Sequence, residues 1–192
     1  IVAIDLSSKS IEIAKARMAK RGLSNVTFHH MSILDLPTAG LGQFDIIESS
    51  GVLHHLPDPD AGLKALSTLL KDHGVITLMG YGHYGRYSVY LVQELMKKLT
   101  TEDMPRSQKI ELARAFLNHV PTGHWITVNN TNFLVDMRWP DGSGIYDLFL
   151  HSTDRAYTVP QIYDWVEGAG LTWLDFYSNW ADASLYAPES YN

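Results

Sequence analysis

The chain contains no cysteine. Disulfides, thiolate zinc sites and cysteine nucleophiles are therefore excluded. Basic residues are not in excess either: 15 Lys and Arg stand against 21 Asp and Glu, a formal charge of −6. Without a basic stripe to displace phosphate counterions, no nucleic-acid partner is expected. No apolar run approaches the ~18 to 20 residues that cross a bilayer, and no signal peptide is visible. No membrane partner is expected, and a cytoplasmic location is the default. Repeats and low-complexity tracts are missing. No His or carboxylate grouping has metal-ligand spacing, and the stretch from Asp136 to Asp147 lacks the calcium-loop pattern, so no metal is expected.

What is present is a β/α rhythm. At 192 residues there is enough chain for one domain with a real core. "IVAID" is an apolar, β-branched run of the kind found in a parallel strand covered on both faces. "LSSKSIEIAKARMAKRG" follows with Ile11, Ala14 and Met18 at helical spacing and Gly22 as a stop. "NVTFHH", "FDIIES" and "GVITLMG" read as further strands, with a helix over "DPDAGLKALSTLLKDHG" before the last. That alternation predicts a mostly parallel α/β sheet with flanking helices. After Gly80 the rhythm breaks. Residues 86–99 and 105–119 are expected to be helices, and 121–147 a loop-rich stretch. In and beside it, Trp125, Trp139, Tyr146 and Phe149 are read as core of an insertion. The rhythm returns with "YTVPQIYDWVEGAG" as a helix and "LTWLDFY" as a strand. The expected division is 1–85 for the core, 86–156 for a helical and loop-rich lid, and 157–192 for the return to the core.

Gly80, Gly82 and Gly85 match the G-x-G-x-x-G spacing of a dinucleotide phosphate loop. The match would make the chain an NAD(P)-dependent oxidoreductase. That fingerprint also needs a second strand ending in an acid about 20 residues on. Here "TTEDMPRSQKIELARAFL" follows, polar and then helical. Tyr81, His83 and Tyr84 also crowd the positions where backbone must approach phosphate. The turn reads better as the mouth of the sheet, where the fourth strand hands over to the insertion.

The acid that turn lacks is Asp5, which closes the first strand at its carboxyl end, where open α/β sheets bind ligands. A carboxylate there can accept hydrogen bonds from a ribose diol; it can also serve as a helix N-cap. Four segments tip the balance: "VAIDLSSKSIEIAKAR", "VTFHHMSILDLP", "FDIIESSGVLHHLPDP" and "LSTLLKDHGVITLMGY". In order and spacing they resemble class I S-adenosylmethionine-dependent methyltransferases, over residues 1 to about 82 and again over "YTVPQIYDWVEGAGLTWLDFY". The resemblance implies a Rossmann-like fold, in which these segments are the second to fifth strands and the last helix and sixth strand. It implies S-adenosyl-L-methionine as cofactor and methyl transfer to a small-molecule or peptide acceptor. The family's glycine-rich first loop has no counterpart here, since the chain opens on "IVAIDLSS". The fold thus lacks its first strand as given, and an N-terminal extension bearing a Gly-x-Gly-type loop is expected.

Carried over by position, the resemblance gives Asp5 the ribose hydroxyls and Leu6 the adenine face. Ser32 and Ile33 would flank the adenine edge, with the Ile33 amide facing a ring nitrogen. Ser50 and Gly51 would border the methionine portion. His54 and His55 lie beside the expected methyl group, and His151 precedes the return to the core; histidine suits proton removal from an acceptor. Tyr81, His83, Tyr84 and Arg86 follow the fourth strand as candidate acceptor-binding residues, or as anchors of the insertion. His29 and His30 are read as structural. A non-catalytic module that keeps this fold and binds a partner through the lid is the remaining alternative.

Overall fold

The computed structural model describes residues 1–128, 139–151 and 153–177. Asp136 and the rest of 129–138, together with 178–192, lie outside the described residues. The chain divides into two compact units, Ile1–Gly80 with the described residues from Val159 onward, and Tyr81–Thr158.

The first unit begins with β1 (Val2–Asp5), α1 (Ser8–Lys20) and β2 (Thr27–His30). The hydroxyl of Ser7 caps α1 by accepting from the Ser10 amide (3.2 Å), and Ile11 is its buried contact residue. Past the C-cap Arg21, Gly22 takes φ +66°, as a helix stop of this kind requires. A 3₁₀ turn over Ile33–Thr38 leads to β3 (Phe44–Ser50), a second 3₁₀ turn over Leu53–His55, α2 (Pro59–Ser67) and β4 (Leu70–Met79). Both 3₁₀ turns pack against α2, so the segments after β2 and β3 share one helix.

Among the described residues the strands of this unit form two parallel pairs, β1 with β2 and β3 with β4. The second pair is irregular. Phe44 faces Leu70 but Ile46 faces Val75, so residues 71–74 make an excursion from the ladder. This corrects the expected boundary. The helix ends at Ser67 and the strand starts at Leu70, not at Gly74. The Leu63–Leu66–Leu70 spacing that suggests a longer helix is shared by a helix and the first residue of a bulged strand.

The second unit holds β5 (Tyr81–Gly82), α3 (Tyr87–Leu99), α4 (Arg106–His119), α5 (Trp125–Val128), α6 (Ser143–Phe149) and β6 (Ala156–Tyr157). Helices α3 to α6 enclose a core of Val89, Val92, Met96, Ile110, Ala113, Ile126, Ile145, Leu148 and Phe149. Phe149 and Tyr146 belong to or pack on this core, as expected, whereas Trp125 and Trp139 are exposed. Before α6, Gly142 has φ +70°, and a Cβ there would meet Ile110 Cγ2 at 2.5 Å. Only glycine fits this turn. Preceding it, Asp141 accepts from the Ser143 amide and hydroxyl, which hold its carboxyl below the usual carboxylate range.

The chain re-enters the first unit with α7 (Val159–Gly168), whose Trp165 donates its indole N–H to the Pro59 carbonyl of α2 (3.3 Å). Residues 171–177, expected as a strand, carry no strand assignment. A strand exists only through a ladder partner. Trp173 and Phe176 instead meet Tyr163 of α7 edge to face, at 5.4 and 6.1 Å between ring centroids.

Candidate functional site

Parallel pairing makes strand ends coincide. Asp5 stands opposite His30, and Ser50 opposite Met79, so each pair finishes at a shared carboxyl edge. The Asp5 carboxylate is exposed and half engaged: Oδ1 accepts the Ser7 amide at 2.7 Å. That bond orients the group and leaves its other oxygen available as an acceptor. Leu6 beside it is 73% exposed, an apolar surface of the size an aromatic base covers. A free carboxylate oxygen of this kind can accept from a ligand hydroxyl.

Ser32 is the N-cap of the first 3₁₀ turn. Its hydroxyl accepts from the Leu34 amide (3.2 Å), and its own amide donates to Asp35 Oδ2 (3.4 Å). One lone pair of the Ser32 hydroxyl is thus used within the turn. Ile33 occupies the first position after the cap, where a helix has no internal partner for the amide. Gly51 takes φ +72°, and its amide donates to Met79 O at 3.3 Å, while Ser50 Oγ donates to Glu48 Oε1 at 3.2 Å.

The three candidate imidazoles differ. His54 is 0% exposed within the Leu53–His55 turn, and its ring sits 4.2 Å, centroid to centroid, from that of half-buried His55. In the second unit, Nδ1 of His151 accepts from the Thr153 amide at 3.2 Å. With Nδ1 accepting, the neutral ring carries its proton on Nε2.

The acceptor candidates separate in the same way. Tyr84 and His83 are exposed and meet edge to face at 5.2 Å. Arg86 is buried. Its guanidinium donates to Asp154 Oδ2 at 2.6 Å, with the two side chains 5% and 2% exposed, and Tyr81 covers its face at 3.5 Å. Gln93 donates to the same carboxylate oxygen (3.2 Å) and Tyr90 to the other (3.4 Å). Burial first, and then the Asp154 charge, push the Tyr90 phenol up to about 12. Arg86, Tyr90 and Gln93 fall at i, i+4 and i+7, one stripe of α3. That spacing is the only sequence signal for the network, because Asp154 lies 68 residues from Arg86.

The glycine turn has other work. The His83 amide donates to Tyr157 O (2.8 Å), and the Arg86 amide to Gly82 O (3.1 Å). Amides that a phosphate loop would aim at a pyrophosphate are spent on the β5–β6 pair and the start of α3.

A parallel α/β unit with an acid closing its first strand and paired loops at the carboxyl edge defines the class of Rossmann-like nucleotide binders. Within that class the chain belongs to the methyltransferase domain family, which residues 1–128 match. An uncharacterized Synechococcus protein is 29% identical over 182 residues, 92% of this chain and 42% of its own length. The ubiquinone biosynthesis O-methyltransferase of Bordetella avium is 32% identical over 74 residues, 38% of this chain and 30% of that one. Among solved structures, PKMT2 of Rickettsia typhi in complex with AdoHcy superimposes with a TM-score of 0.60 at 20% identity, over 88% of this chain and 32% of that one. The chain thus spans less than half the length of each of these proteins. Among the described residues no helix is long and apolar enough to cross a membrane.

Proposed function

We propose that this chain binds S-adenosyl-L-methionine at the carboxyl edge of its first-unit strands and serves methyl transfer to a small-molecule or peptide acceptor. The observation that carries the reading is the Asp5 carboxylate, oriented through Oδ1 and open at its second oxygen, in a chain of the methyltransferase domain family. When bound, the cofactor supplies an electrophilic methyl group on a sulfonium. Asp5 holds the ribose hydroxyls, Leu6 covers one adenine face, and the Ile33 amide meets the adenine edge; Ser50 and Gly51 border the amino-acid end. Direct displacement asks the protein for alignment and exclusion of water. Where the acceptor atom carries a proton, an imidazole among His54, His55 and His151 is suited to take it, with His54 the fully buried one of the three.

Of the acceptor candidates Tyr81, His83, Tyr84 and Arg86, the exposed His83 and Tyr84 are open to an acceptor, whereas Arg86 is buried on Asp154. The Bordetella relative's name supports an oxygen nucleophile on a small molecule. The test is calorimetry of the full-length protein with S-adenosylhomocysteine. Asp5→Ala is expected to lose most of the affinity; unchanged binding removes Asp5 from the site. No binding by the unaltered protein, with a second protein co-purifying, would favour the non-catalytic module.

A further inference from the structure

We infer that His30 is a positioning residue for the cofactor's nucleoside, acting through Asp5 and Leu6; this rests on the reading of Asp5 given above. The turn from β1 into α1 must hold the Asp5 carboxylate and the Leu6 side chain in fixed directions. Two of its restraints are local: Ser7 N–H to Asp5 Oδ1 (2.7 Å) and Ser10 N–H to Ser7 Oγ (3.2 Å). Neither ties the turn to the sheet. The backbone ladder does so as far as Asp5, whose carbonyl accepts from the Met31 amide (3.2 Å). The next carbonyl, Leu6 O, is reached by a side chain. His30, opposite Asp5 in the parallel register, places Nε2 at 2.8 Å from it. A carbonyl only accepts, so Nε2 is the donor, and the imidazole extends the pairing one residue beyond the backbone.

This bond is exposed. An exposed hydrogen bond exchanges with water and contributes little to folding. Its geometric effect is larger. It holds the Leu6–Ser7 peptide, whose carbonyl His30 takes and whose N–H orients Asp5 Oδ1, so the adenine-facing leucine and the ribose acid both shift if that peptide swings. The effect therefore belongs in nucleoside affinity.

The experiment measures S-adenosylhomocysteine binding to the full-length protein by calorimetry, with melting temperature recorded for each variant. His30→Leu keeps the bulk and removes the donor. It is expected to weaken binding about three- to tenfold, the loss of one hydrogen bond, while the melting temperature moves by no more than about 2 °C. His30→Gln, which restores a donor of similar reach, is expected to recover most of the affinity. Combined with Asp5→Asn, His30→Leu should weaken binding by clearly less than the sum of the two single losses, because part of its effect runs through that residue. Unchanged affinity in His30→Leu, or full additivity with Asp5→Asn, overturns the inference while leaving Asp5 in place. Full affinity in Asp5→Asn instead removes the reading of the site itself. Should His30→Leu fail to fold, His30→Asn, whose amide falls short of the carbonyl, takes its place against His30→Gln.

Discussion

The helical unit and the strand-bearing unit treat their apolar residues differently. In Tyr81–Thr158, nine buried side chains from four helices close on one another, and Phe149 among them is 1% exposed. In Ile1–Gly80, Leu53, Leu63 and Leu66 are buried around α2, yet the strands turn Ile46, Val75 and Met79 outward, with Ile46 73% exposed. The reason lies in the elements. Amphipathic helices need only each other, whereas a parallel sheet is covered on both faces in proteins that use one. A two-stranded pair is also marginal alone. The candidate cofactor residues all sit on this more exposed half.

A matched pair of substitutions separates the two units most strongly. Phe149→Ala should destabilise the helical unit by about 3–5 kcal/mol, the usual result of emptying a closed aromatic site. Ile46→Thr, on the open sheet face, should change stability by no more than about 0.5 kcal/mol. Urea unfolding followed by circular dichroism measures both. Equal losses would mean that Ile46 is covered in solution.

The same contrast governs how much was legible in the sequence. Helix α1 could be read from the Ser7 cap, Ile11 and the Gly22 stop because each acts within a few residues. Both helices after Gly80 were legible for the same reason. The start of β4 was not, because the excursion at 71–74 continues a helical leucine spacing. Nor was the fate of "LTWLDFY", whose β-branched and aromatic content says nothing about whether a ladder partner exists. Asp5 could be named from its place at the end of a strand, and Gly51 through the family resemblance. The tie from His30 to Leu6 and the Arg86–Asp154 pair could not. Their partners are 24 and 68 residues apart, and only the fold brings them together.

The buried ion pair sharpens the comparison from the helical side. Arg86→Met leaves the Asp154 charge without its main partner in a dry site and should destabilise by about 3–5 kcal/mol. The double variant Arg86→Met with Asp154→Leu should recover most of that loss, because neither charge is then stranded. Thermal unfolding of both variants decides; a double variant no better than the single would mean that the pair itself, not its desolvation, holds β5 against β6.

A smaller effect follows at high pH. The Tyr90 phenol is raised from 10.0 to about 12 in the folded chain, so between those values the unfolded state has released a proton that the folded state retains. Stability is then at its full value below pH 10 and falls as pH rises toward 12. Tyr90→Phe should flatten that part of the stability profile, measured by urea midpoints at successive pH values, with the remaining tyrosines setting the background slope.

The smallest effect belongs to the open half. Lys71, carried outward by the bulge in β4, lies 2.9 Å from Asp45, with both side chains well exposed. Hydrogen bonding to Lys71, and then its charge, lower the Asp45 carboxyl below the usual range. Water and salt screen such a pair, so Lys71→Ala should leave the melting temperature where it was. The carboxyl itself should still titrate closer to an ordinary aspartate when followed by nuclear magnetic resonance. A measurable loss of stability would show that residues 71–74 depend on this contact. The excursion would then be a pinned feature of the sheet, not a slack segment tolerated because its surroundings are open.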